Sequence, residues 1–266
     1  MANAENNGNS IEVFQQVFNA ASQLPGVKID REKYLSGALK GKYSPEVVNA
    51  AIETSPAIAG ITTRELSSIA DASIAYESAK VTALSVAAGL PGGIAAAGTI
   101  PADLAQYFAH IMRIAQKLAY LYGWENMFQG TEEEMDDAAK NMLILFVGVM
   151  FGAQGATEAV GKIAAKAAEA AAKRIPQQAL TKGVVYPVVK KVATYLGVQM
   201  TKEIYGKGVA KIIPVIGGVV SGGITAASYV PMSKKLKKYL AGLPVAKPET
   251  YAAVSGDEIL DASYEE

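Results

Sequence analysis

Residues 81–122 read VTALSVAAGLPGGIAAAGTIPADLAQYFAHIMRIAQKLAYLY, and this stretch decides the fold class. No charge occurs between Lys80 and Asp103. Inside that gap Pro91-Gly92-Gly93 must break or bend a helix, because proline removes a backbone donor and paired glycines weaken the hydrogen-bond ladder. Pro101 restarts a helix, with Asp103 in its first turn, where an acid favours the positive end. Leu104, Phe108, Ile111, Ala115, Leu118 and Tyr122 then lie on one stripe at helical spacing, closed by Gly123 as a left-handed cap. The segment reads as helix, break, second helix.

Toward the N-terminus, Ile11, Phe14, Val17, Phe18 and Ala21 give a helix from Ser10 to Leu24 one apolar face, with Ser10 as its N-cap and Pro25-Gly26 as its stop. Asp30 opens a short helix through Leu39, and Ser44-Pro45-Glu46 opens another. From Glu65 to Gly89, Leu66, Ile69, Ala70, Ile74, Val81 and Leu84 keep helical period, and Asp71, Glu77 and Lys80 read as its wet side.

Toward the C-terminus, Thr131 to Glu134 forms a capping box. The run Asn141 to Thr157 is uncharged for 17 residues, the lower limit of about 17 for a bilayer-spanning helix. An Ala-rich helix from Glu158 to Arg174 carries Glu158–Lys162 and Glu169–Lys173 pairs at four-residue spacing and stops at Pro176. A further helix runs from Tyr186-Pro187 toward Tyr205. Ile212 to Ser233 is uncharged for 22 residues, and its Pro214, Gly217-Gly218 and Pro231 echo the opening stretch. The expected fold is all-α, a multi-helix bundle with Gly/Pro-broken apolar helical hairpins. A flexible N-terminus (1–9), one helical domain (10–242) and an acidic, disordered tail (243–266) complete the expected organisation.

Composition narrows function by exclusion. Lys plus Arg and Asp plus Glu are each 25, so the global basic field that nucleic-acid backbones require is lacking, and no nucleic acid is expected as partner. There is no cysteine, which removes disulfides, thiolate metal sites and a cysteine nucleophile. The only histidine, His110, offers no credible zinc site alone and reads as a packing residue. Neither a phosphate-binding GxxxxGK[ST] loop nor Gly-x-Ser-x-Gly occurs. No cofactor, metal or catalytic residue is therefore expected; Asp103, Tyr107 and His110 are the one polar group worth testing. The start, MANAENNGNS, lacks the pattern of a secretory signal, giving a cytoplasmic expectation. Lys234, Lys235, Lys237 and Lys238 follow the last apolar stretch, where contact with an anionic membrane surface is expected.

Four segments, LPGVKIDREKYL (24–35), GLPGGIAAAGTIPADLAQY (89–107), QKLAYLYGW (116–124) and IPVIGGVVSGGITAASY (213–229), together resemble the EcsC protein family. The resemblance spans residues 10 to 242. It implies a bacterial, membrane-associated helical protein on the cytoplasmic face, an accessory or interaction factor linked to an ABC transporter or to the cell envelope, with homo-oligomers allowed. For positions it implies only conformational and packing roles, at Pro91, Gly92, Gly93, Asp103, Tyr122, Gly123, Gly217 and Gly218. A different reading of the same residues is a soluble helical protein that holds a lipid or other apolar ligand between its hairpins.

Overall fold

A computed structural model describes residues 2–87, 102–127, 136–172, 186–205 and 222–252. Among them the chain is an all-α multi-helix bundle: α1 (Ala2–Ser22), α2 (Arg31–Leu39), α3 (Pro45–Glu53), α4 (Thr63–Ala87), α5 (Ala102–Leu121), α6 (Asp137–Phe151), α7 (Ala156–Ala172), α8 (Tyr186–Tyr205) and α9 (Gly222–Ala241), with a 3-10 turn at Pro244–Ala246. Pro91, Gly92, Gly93, Pro101, Gly217 and Gly218 lie outside the described residues, as do the Thr131–Glu134 box and Lys173.

Local chemistry explains most boundaries. Asp30 caps α2 by accepting the Lys33 N–H at 2.9 Å, and the Ser44 hydroxyl stands 3.5 Å from the Val47 N–H ahead of Pro45. Each such cap contributes about 0.5–2 kcal/mol. At the head of α4, Thr62 Oγ1 accepts from the Glu65 N–H at 3.3 Å while Glu65 Oε2 accepts from the Thr62 N–H at 2.8 Å, a reciprocal box. α1 departs from expectation. It begins at Ala2, and Ser10 is a buried interior residue rather than the cap, because the packing of α1 against α8 extends to its carbonyl.

The uncharged run 141–157 is not one long helix. α6 starts behind Asp136, whose carboxylate accepts the Ala139 N–H at 2.7 Å, and ends at Gly152, left-handed at φ 78°. Leu143, Leu145, Phe146 and Val147 are fully buried. Apolarity all round a helix reports burial on every side, and here neighbouring helices supply it. Among the described residues no helix is long and apolar enough to cross a membrane.

Two glycines set helix spacing. A Cβ on Gly148 would meet Val192 Cγ1 of α8 at 2.6 Å and Ala156 of α7 at 3.0 Å. A Cβ on Gly197 would stand 1.9 Å from the Ser10 carbonyl oxygen at the α1–α8 crossing. Helix propensity alone favours Gly→Ala by about 1 kcal/mol, yet Gly197→Ala is expected to lower stability by about 1–3 kcal/mol, since the obstructing atoms are backbone and α1 must shift. Urea unfolding checks the sign; a stabilised variant would overturn the packing account.

The chain end also packs. Leu243, Val245 and Ala246 are buried, and the Tyr251 hydroxyl donates to the Val245 carbonyl at 3.2 Å. The tail expected to be mobile from 243 thus opens with a docked segment, because Leu243 and Val245 are apolar side chains with a core face available; residues from 253 lie outside the described set.

Helix direction follows from cross-contacts. Glu77 of α4 meets Lys117 of α5, and Lys80 shares a cleft with Ala109, so α4 and α5 are antiparallel. Ser228 and Tyr229 of α9 reach Tyr107 and His110, and Lys237 reaches Asp71, so α9 runs with α5 and against α4. The C-terminal end of α4 and the N-terminal ends of α5 and α9 therefore share one end of the bundle.

Candidate functional site

The charged centre of the bundle is Glu77. Its side chain is wholly buried, and three residues of α5 converge on it: His110 Nδ1 at 3.1 Å, Arg113 through Nε and Nη2 at 3.1 Å each, and Lys117 Nζ at 2.6 Å. His110, Arg113 and Lys117 sit at i, i+3 and i+7 on one helix face. Burial alone works to raise the Glu77 pKa, but hydrogen bonds from His110, Arg113 and Lys117 outweigh it and hold the carboxyl well below the usual carboxylate range. Lys117 also lies over the rings of Tyr34 and Tyr76, at 5.5 and 4.9 Å from their centroids.

Glu77 corrects the sequence reading, which put it on the wet side of α4. The signal was present: Ala70, Ile74, Glu77 and Val81 follow spacings of four, three and four, which places the carboxylate on the apolar stripe. Only the facing cations make that position tolerable.

A cleft of about 470 Å³ opens beside this cluster, walled by Leu24, Pro25 and Val27 on one side and by Lys80, Ala109, His110 and Arg113 on the other. Its loop wall is pinned by Gln116. That buried side chain accepts the Ile29 N–H at 2.8 Å and donates to the Val27 carbonyl at 2.9 Å. Arg31, also buried, donates to the carbonyls of Ile52 at 2.6 Å, Thr54 at 2.8 Å, Ala51 at 3.3 Å and Trp124 at 3.2 Å, tying α2 to the end of α3 and to the segment after α5. Burial lowers its pKa.

The other expected residues separate. Tyr107 turns to α9, its hydroxyl 3.5 Å from Ser228 Oγ, and burial pushes its pKa up to about 12. His110 turns to Glu77, so the two do not act on one point. Asp103 lies in the first turn of α5, and its side chain is outside the described set. Gly123 is left-handed at φ 90°, as expected of a cap. Lys237 pairs with Asp71 at 2.7 Å and donates to Ser67 at 2.8 Å, so it belongs to the α4–α9 contact; Lys234, Lys235 and Lys238 are exposed. Among the described residues no group of His, Asp or Glu could hold a metal ion.

Tyr122 is fully buried, and its hydroxyl and Trp124 Nε1 have no hydrogen-bond partner among the described residues. Tyr122→Phe is therefore expected to keep or raise stability, by up to about 1 kcal/mol. Thermal unfolding checks this, and a clear loss would mean the hydroxyl is satisfied.

In comparisons with family models, with curated proteins and with solved structures, none matches this chain.

Proposed function

We propose that this is a membrane-associated, non-enzymatic accessory protein that inserts one end of its bundle into the cytoplasmic face of a membrane. The observation that carries the reading is the shared end of α4, α5 and α9. Both charge-free stretches, 81–102 and 212–233, lead into or out of that end in the sequence. Two apolar, uncharged segments delivered to one pole make an amphipathic object, which is the physical requirement for interfacial insertion. Kinship with the EcsC family and an ABC-transporter partner belong to the same proposal and rest on the four resembling segments.

The geometry alters the part assigned to the lysines. Asp71, which pairs with Lys237, precedes Val81 by ten residues, about 15 Å along a helix, so Lys234, Lys235 and Lys238, clustered around Lys237, stand below the inserting pole. They contribute attraction to an anionic surface over that distance rather than contact at the insertion point. Co-flotation with vesicles containing phosphatidylglycerol is the test. Wild type is expected to float, and Ile94→Glu combined with Ile216→Glu to abolish flotation, while neutralising the three lysines only makes it more sensitive to salt. A detergent-free monodisperse protein that stays at the bottom of the gradient would sink the proposal.

A second reading, the binding of a lipid or other apolar ligand, is favoured by the cleft beside Glu77. It lies between the α1–α2 connection and the α4–α5 pair; the two Gly-rich stretches are outside the described residues. At about 470 Å³ it falls within the roughly 300–1,000 Å³ of small-molecule sites.

A further inference from the structure

We propose that the cleft beside Glu77 binds a single-chain amphiphile with an acidic head, the head held by Arg113 with Lys80 and His110 and the chain laid along Leu24, Pro25, Val27 and Ala109. The inference rests on the second reading above and specifies its ligand.

Charge carries the first step. Glu77 is one carboxylate against the two permanent cations Arg113 and Lys117, with His110 as a third donor. Its two oxygens already take four donor contacts, which fills the acceptor capacity of a carboxylate. Lys80, on the cleft wall, adds a further positive charge and rests over the Tyr76 ring at 4.6 Å. Among the described residues no second carboxylate pairs with any of these cations, and Asp71, the other acid on this part of α4, is taken by Lys237. Counted over the described side chains, the cleft carries an excess of positive charge in a partly desolvated place, where a counter-anion is worth more than at an open surface.

Donor geometry carries the second. The Arg113 fork presents Nε and Nη2 to Glu77, leaving Nη1 for something else. Nη1 stands 3.3 Å from where a Cβ on Gly26 would be, so it reaches the loop between Pro25 and Val27 that forms the opposite wall. Gly26, left-handed at φ 73°, lets the guanidinium come that close. A guanidinium already fixed by Glu77 loses little freedom when it takes a second anion, so the donor is preorganised.

Shape and lining carry the third. Leu24, Pro25, Val27 and Ala109 give the cleft an apolar lining beside the polar Lys80, Gln106, His110 and Arg113, and Gln116 holds the loop wall in place before any ligand arrives. A bare phosphate would leave aliphatic walls in water, a neutral lipid would leave the cations uncompensated, and a metal cation would be repelled. An acidic head on an apolar chain satisfies both halves.

The test is titration of the full chain with oleate, oleyl alcohol, a monoacyl phosphate and acetate, followed by calorimetry and native mass spectrometry. Oleate or the monoacyl phosphate is expected to bind at one site and acetate not to bind, and the tighter of the two acids identifies the head group. Lys80→Gln is expected to weaken acid binding about three- to tenfold while leaving oleyl alcohol unchanged, and Gln106→Trp, at a half-buried lining position of the cleft, to weaken it about tenfold or more by filling the space. Both variants spare the Glu77 cluster, and circular dichroism verifies that they fold. Oleyl alcohol binding as tightly as oleate would overturn the acidic-head assignment and leave the apolar-ligand reading standing. No binding of any of the chains would overturn both, and binding untouched by Gln106→Trp would place the ligand elsewhere.

Discussion

Glu77→Ala is expected to cost about 3–5 kcal/mol of unfolding free energy, because removing one partner of a buried ionic group leaves the others uncompensated. Three donors of α5, with side chains between 9 and 18% exposed, would lose their common acceptor at once. Glu77→Gln keeps the volume but turns one acceptor into a donor facing cations, so it is expected to behave much like the alanine variant. Replacing Glu77, Arg113 and Lys117 together by Leu, Met and Met is expected to recover most of the loss, since an apolar substitute of similar volume avoids the desolvation that the ions must offset. A triple variant as unstable as Glu77→Ala would show that the loss comes from shape rather than charge.

The same carboxylate sets an acid limit. Its folded pKa lies below the ordinary value of 4.5, so the folded state binds the proton less readily than the unfolded chain. The sign follows: the stabilisation is fully present above about pH 4.5 and is lost as pH falls toward the folded value. Urea midpoints measured from pH 7 down to pH 3 are expected to fall for wild type, and to fall less steeply below pH 4.5 for the triple variant.

Gly123→Ala is the second large effect, about 2–5 kcal/mol in total. At φ 90° an L-residue meets left-handed strain, of roughly 1–2 kcal/mol. The new Cβ would also stand 2.2 Å from the Val245 carbonyl oxygen and 2.9 Å from its carbon, so the docked chain end must move. Gly152→Ala is the matched control. Its φ of 78° is similar, but the nearest obstacle at 2.8 Å is the flexible end of Lys235, so only the backbone share is expected. The difference between the two variants in chemical denaturation measures what docking of Leu243–Ala246 contributes. Equal losses would mean the Val245 approach contributes nothing.

Much of the fold was readable locally. Asp30, Ser44, Pro25-Gly26 and Gly123 act as the caps and stops their side chains or lack of one dictate, and the stripe from Leu104 to Tyr122 is buried as its period requires. Segments 24–35 and 116–124, which carry part of the family resemblance, meet through Gln116 and Arg31, and Tyr107 of segment 89–107 meets Ser228 of segment 213–229. Ser10 misled because a capping residue type is also a small polar residue that fits a close helix crossing. The run 141–157 stayed open in the sequence because the same apolar pattern suits lipid and a protein core.

The amino-acid sequence by itself determined that the chain is helical, where most helices start and stop, and that two stretches are free of charge, because caps, breaks and periodicity act over a few residues. Only the tertiary structure decided that Glu77 is buried, that His110, Arg113 and Lys117 converge on it, that Lys237 is spent on Asp71, and that the C-terminal end of α4 and the N-terminal ends of α5 and α9 share one pole of the bundle. Each of these depends on which helix faces which, and that is set by packing between positions tens of residues apart, whose free energy no local pattern records.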